Sequence, residues 1–345
     1  MRISLMSYFV VGIIFTLMAC TENTPKPTPH IPINTSEIVN IRTPTFTPTP
    51  SLTQLSPSPV STFSGTIALA VVSHSHSPVV LLDLENGVIK DLSNYGYYSI
   101  SWSPEGQWVA ISGGIPRTQH PPNIFLVKSD GSETKRLTNS YESEQYPSWS
   151  PDGNFIVYSH SKGMPTELAI VQPETGVTYS LTSTIGDEYF PSWSPDSKKI
   201  AYAYSENNDS PLQLWIIDSN GKNAHLLLDQ PTISGKIDWS PQEPYIAFIS
   251  GNLRGGCGDI YLINTDDGSH SRLTHSMCVN SLTWSPDGGY IAFASKDINA
   301  SGQILHFSSQ VYIIDKSGNN LTKITDEKEW RIDDIDWSFI TQQNP

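Results

Sequence analysis

From about residue 65 onward the chain alternates short apolar runs with polar, turn-forming punctuation. The runs "WVAIS", "FIVYS", "KIAYAYS", "YIAFIS" and "YIAFAS" are rich in β-branched and aromatic residues and do not alternate cleanly between apolar and polar. Such a run predicts a strand covered on both faces. Each is preceded by a tryptophan and a Ser-Pro turn, in which proline presets φ and a following Asp or Gly completes the reversal. A further strand follows each run ("NIFLVKS", "ELAIVQ", "LQLWIID", "DIYLINT", "QVYIIDK") and leads to a glycine-centred turn. A short last strand then ends in "RLT", "SLT", "LLL", "RLT" or "KIT".

Read in full, this is one unit repeated. Its marker occurs as "SWSPEG", "SWSPDG", "SWSPDS", "DWSPQE", "TWSPDG" and a degenerate "DWSF", with tryptophans at Trp102, Trp149, Trp193, Trp239, Trp284 and Trp337. The tryptophans stand 47, 44, 46, 45 and 53 residues apart, the length of one four-stranded propeller blade. The turn glycines Gly87, Gly131, Gly176, Gly221, Gly268 and Gly318 also number six, but they are offset. Gly87 has no tryptophan strand before it, and Trp337 has no strands after it. The pattern therefore predicts an all-β, six-bladed β-propeller over residues 65–339, followed by a tail at 340–345. The strand around Trp337 would complete the N-terminal blade and remove the open edge.

These repeats resemble the TolB-like propellers, built from WD40-like units with Trp-Ser-Pro-Asp-Gly followed by Ile-Ala-Phe. The likeness covers residues 65–339. It implies a six-bladed ring of the kind that makes protein contacts at the cell envelope. Similar propellers precede serine hydrolase domains, but this chain contains no Gly-x-Ser-x-Gly. Other related propellers, usually seven-bladed, are polysaccharide lyases with a histidine-bound metal.

The first 19 residues place Arg2 before an apolar stretch, the layout of a signal peptide. Leu17-Met18-Ala19-Cys20 resembles a bacterial lipobox, with Cys20 as the lipidated residue. Residues 20–64 are dominated by Thr, Pro and Ser, a composition that stays extended because it cannot bury a core. The expectation is an exported, single-copy protein tethered to the bacterial cell membrane only by a lipid, facing the extracellular or periplasmic side. With 34 Asp+Glu against 20 Lys+Arg, a formal charge of −14, the chain is a poor match for nucleic acid.

Candidate chemistry collects on the face shared by the second-to-third and fourth-to-first connections. Five histidines (His74, His76, His120, His160 and His306) fall on the former, and His275 lies on the same face. The latter carry Tyr97, Tyr98, Glu144, Tyr146, Asp187, Glu188, Tyr189 and Trp330. Two readings stand. These are ordinary loop residues; or they converge, with His74, His76, His120 and His160 holding a divalent metal and the aromatics gripping a peptide or glycan. No nucleophile stands at a recognisable spacing from a base, so no catalytic residue is assigned and no cofactor is expected. Asp152 and Asp287 read as turn residues, because calcium loops need a denser run of oxygen ligands. Cys257 and Cys278 are either a disulfide, as export favours, or two free thiols. The expected function is non-enzymatic binding of an envelope protein, peptide or cell-surface glycan at the loop-rich face. The alternatives are a lyase-like, metal-dependent enzyme and a spacer without ligand.

Overall fold

A computed structural model describes residues 63–338 except 73–77, 88, 94–95, 115–119, 162, 164, 208–209, 253–256, 299–303 and 327–329. All lie within the larger of two compact units, Ile31–Pro345. The expected signal peptide, Cys20, the expected stalk up to residue 62, His74, His76 and the 340–345 tail fall outside the described residues. So do the side chains of Tyr97, Tyr98, Cys257 and His306.

The described chain is all β, and no helix in it is long and apolar enough to cross a membrane. Strands β1 (Thr66–Val72), β2 (Val79–Asp83) and β3 (Ile89–Ser93) form an antiparallel sheet. Its fourth member is the last described strand, β23 (Arg331–Ser338), which pairs with β1 from Thr66↔Ser338 to Val72↔Arg331. A second sheet follows in simple order from β4 (Gly96–Trp102), β5 (Trp108–Gly114), β6 (Asn123–Lys128) and β7 (Thr134–Arg136). A third comprises β8 (Ser143–Trp149), β9 (Ile156–Ser161), β10 (Thr166–Val171) and β11 (Thr178–Ser180).

The remaining strands run as one hydrogen-bonded path that begins with β12 (Asp187–Trp193), β13 (Lys199–Ser205) and β14 (Leu212–Asp218). The long β15 (His225–Trp239) then serves two neighbours. Its residues 225–228 pair with β14 and its residues 237–239 with β16 (Tyr245–Asn252). Next come β17 (Cys257–Asn264), with β18 (His270–Arg272) on its edge, and β19 (Cys278–Trp284), which β17 meets only at Gly258↔Val279. β20 (Tyr290–Ile298), β21 (Ile304–Asp315) and β22 (Thr322–Lys323) complete the path. Cys278 is fully buried and disulfide-bonded.

Buried clusters join the face of one sheet to the face of the next, which explains why the middle strands lack alternation. Val109, Ala110 and Ile111 of β5 are all fully buried, yet Val109 and Ile111 face one cluster and Ala110 the next. Trp102 packs among Ala68, Leu81 and Leu92 of the preceding sheet, and Trp149 among Ile124 and Leu137 of its own predecessor. Trp193, Trp284 and Trp337 repeat this placement.

The turn after each tryptophan is built by its own side chains. Ser150 Oγ accepts from the Phe155 amide and donates to Asp152 Oδ1 at 2.6 Å, and Asp152 Oδ1 also accepts from the Asn154 amide. Asp196 and Asp287 act alike with Ser194 and Ser285. Asp152 and Asp287 are thus spent on turn geometry. In the third repeat, where the sequence has Ser in place of Gly, Ser197 itself takes a left-handed φ of 57°, a conformation that glycine adopts at less cost.

Candidate functional site

The six tryptophan-bearing strand segments all contribute to one cavity, and period two decides which side chains meet there. Counting back from each tryptophan, the first residue is Ser101, Ser148, Ser192, Asp238, Thr283 or Asp336. The third is Ser99, Tyr146, Phe190, Lys236, Ser281 or Asp334. Two cavities meet at the first of these layers. A cavity of about 330 Å³ opens on the Ser-Pro turns; all six tryptophans and five prolines wall it, and the first-layer residues form its floor. A smaller one, about 80 Å³, lies beyond and is lined by the second layer.

Side chains stitch these strands together where backbone ladders do not. Asp336 Oδ2 accepts from the Trp102 amide at 2.7 Å, Ser101 Oγ from the Trp149 amide at 3.0 Å, and Asp238 Oδ2 from the Trp284 amide at 2.8 Å. One layer deeper, Asp334 Oδ2 accepts from the Ile100 amide and Ser99 Oγ from the Tyr146 amide, each at 2.9 Å. Four of the indole N–H groups also find acceptors, among them Trp193 on Ser148 O and Trp284 on Asp238 O, each at 3.1 Å. Among the described residues, Trp102 Nε1 is buried without a partner.

The second layer carries a buried charge cluster. Lys236 Nζ donates to Asp334 Oδ1 at 3.0 Å and to the Ile335 carbonyl at 2.5 Å. Burial works against its charge, but Asp334, Asp336 and Asp238 outweigh burial and hold the ammonium above the ordinary lysine value. Burial pushes Asp238 up to about 7 against the pull of Lys236, and it raises Asp336 as well. One cation therefore faces three carboxylates, a surplus of negative charge that a low-dielectric site makes costly.

Tyr146 and Phe190 occupy equivalent places beside this cluster, with ring centroids 4.4 Å apart. Both have a φ of 54° and precede a proline, at register shifts in the β8–β9 and β12–β13 ladders. A left-handed backbone at an aromatic residue is strained, and such strain collects at functional sites. Burial pushes the Tyr146 hydroxyl up to about 12, so it stays neutral.

The segments expected as loops are largely strand: Glu144 and Tyr146 lie on β8, Asp187, Glu188 and Tyr189 on β12, and His160 on β9. Of the expected ligand-face residues with described side chains, only Tyr146 lines either of these two cavities. The acids are structural. Thr138 Oγ1 accepts from the Ile124 amide at 2.9 Å and donates to Glu144; Thr182 does the same between Leu168 and Glu188, and Thr274 between Ile260 and Asp259. Asp187 accepts from the Thr166 amide at 2.7 Å. Tyr189 packs on the β12–β17 core, and buried Trp330 joins the core under β1 and β23.

His160 sits between Glu142 (2.7 Å) and Glu144 (3.6 Å), and His120 lies against the Tyr141 ring. Neither lines either of these two cavities, and no group of three or more metal-ligating side chains comes together among the described residues. The residues missed are the polar ones preceding each tryptophan. Their signal was a polar residue at the same inward position of all six repeats.

Residues 164–308 match the family model described as the TolB beta propeller domain. Among solved structures, TolB from Acinetobacter baumannii is similar at 18% identity with a TM-score of 0.67. The match covers 79% of this chain and 66% of that one, so just under two thirds of the relative is represented. The structure of "putative TolB from Agrobacterium tumefaciens" matches at 17% and 0.60, covering 79% and 94%. A chain of a nidogen–laminin complex matches at 11% and 0.63, covering 80% and 98%. No curated protein matches the chain at significance. Residues 164–308 are thus similar to a TolB beta propeller domain, and the all-β chain shares the fold of the two TolB structures.

Proposed function

We propose that this chain is a non-enzymatic binding module of the cell envelope that takes a protein or peptide into the tryptophan-walled mouth of a six-bladed ring. In this reading the β12–β22 path is three blades, the pairing of β23 with β1 closes the ring, Cys20 carries a lipid, and residues 20–64 hold the propeller away from the membrane. The observation that carries it is the larger cavity, to which all six repeats contribute a tryptophan; an open row of sheets would not bring its first and last members to a common cavity. A preformed concave site with apolar walls and a few fixed polar groups is the usual form of a ligand pocket. The similarity to a chain of a nidogen–laminin complex agrees with a protein partner. Relative to the expectation from sequence, the binding mouth moves to the opposite face of the ring.

The test is affinity capture from an envelope extract with the full chain and with Ser148→Leu, which fills the cavity from its floor. A partner held by the parent and lost by the variant supports the reading. A partner held equally by both would sink it.

A further inference from the structure

The chemistry of the cavity floor narrows the ligand, on the assumption that the mouth is the binding site proposed above. Ser, Thr, Trp, Pro and Asp line the larger cavity, and no Lys, Arg or His does. Its two charged residues are Asp238 and Asp336. Each carboxylate already accepts a tryptophan amide, and Asp336 Oδ1 also accepts from Thr283 Oγ1 at 3.0 Å. A carboxylate offers about four acceptor positions, so neither is saturated. The nearest cation, Lys236, lies in the smaller cavity and is committed to Asp334 and the Ile335 carbonyl.

A second observation is independent of the acids. All six tryptophans wall the same cavity, so a ligand that enters it meets indole on every side. The site thus presents unsaturated carboxylates and indole walls that favour cations. A ligand that answers both carries a positive donor on an apolar stem.

We infer that the mouth recognises a primary ammonium group, as on a lysine side chain within a peptide or on a peptide amino terminus. The ammonium donates to Asp238 and Asp336, and the indoles cover its carbon stem. The groups around Asp238 are Lys236 on its own strand, Asp336 on β23, Thr283 and the Trp284 amide on β19 and Ser192 on β12, while Asp333 and Asp334 line the same smaller cavity. With its carboxyl pushed up to about 7, Asp238 gains charge between pH 6 and 8, so a cationic ligand binds more tightly at the higher pH.

The tryptophans make intrinsic fluorescence the direct readout. The full chain is titrated with Nα-acetyl-lysine methylamide, with alanyl-alanine amide, and with the Nα-acetylated form of the latter, at pH 6 and pH 8. The result expected is saturable binding of at least one free amine, none for the blocked control, and higher affinity at pH 8. Asp238→Asn is expected to weaken it roughly tenfold, the effect of one hydrogen bond to a charged group. If only the first compound binds, the source is a lysine side chain; if only the second, an amino terminus. Should Asp238→Asn fail to fold, Ser148→Leu and the pH comparison serve as controls. Equal binding of free and blocked amines, no binding of either amine, or binding of Ca²⁺ alone would overturn the inference. Partner capture that still depends on the open cavity would leave the binding function intact while this ligand assignment fell.

Discussion

Glu188 gives the sharpest quantitative consequence of the fold. It is fully buried on β12 and accepts hydrogen bonds from Thr182, from Thr184 Oγ1 at 3.0 Å and from the Leu168 amide at 3.1 Å. Burial nevertheless dominates and raises the carboxyl from 4.5 to about 7. The folded state therefore keeps a proton that the unfolded chain releases, and stability falls as pH rises from the unfolded value through the folded one. At 1.36 kcal/mol per pH unit the difference amounts to about 3 kcal/mol across that window. Glu188→Gln mimics the protonated acid at every pH. Urea unfolding of parent and variant between pH 4.5 and 8 should show near-equal stability at the acid end, with the variant gaining up to about 3 kcal/mol at pH 8. Taking the difference between the two proteins cancels the contributions of Asp238 and Asp336, which have the same sign. A difference that stays flat across the range would refute the assignment of burial as the dominant effect.

Other perturbations have separate readouts. Lys236→Met leaves Asp238, Asp334 and Asp336 without their cation and should cost about 3–5 kcal/mol at neutral pH, a loss that shrinks on acidification; thermal melts at two pH values check both points. Gly221→Ala places a Cβ 2.5 Å from the Leu181 carbonyl at a φ of 77°, whereas Gly87→Ala has a similar φ of 63° and open space. Both should destabilise, the first by at least about 1 kcal/mol more than the second, in matched denaturant titrations. We propose Cys257 as the disulfide partner of Cys278; Cys257→Ser should then free one thiol for alkylation by mass spectrometry and lower stability by about 3 kcal/mol.

What could be read from the sequence was local. The strands, the Ser-Pro turns and the packing role of the tryptophans follow from period, propensity and turn chemistry within a few residues. Glu144 and Glu188 were misplaced because an acid next to an aromatic in a polar segment reads as loop. Their true partners, Thr138 and Thr182, stand six residues earlier in the same "RLT" and "SLT" endings. The polar floor was legible in principle, since a Ser, Thr or Asp precedes every tryptophan. The pairing of Lys236 with Asp334 was not, because 98 residues separate them and only the arrangement of whole sheets brings them together.

The central claim, that the partner enters the mouth walled by tryptophan and proline, is tested most directly by site-specific photo-crosslinking in intact cells. A photoreactive amino acid is placed at Pro195, an exposed residue of the mouth, or at Tyr141, which is 85% exposed on a connection of the opposite face. The account predicts one partner adduct from position 195, abolished by Ser148→Leu, and none from position 141. Adducts from position 141 alone would contradict it and return the binding site to the loop-rich face.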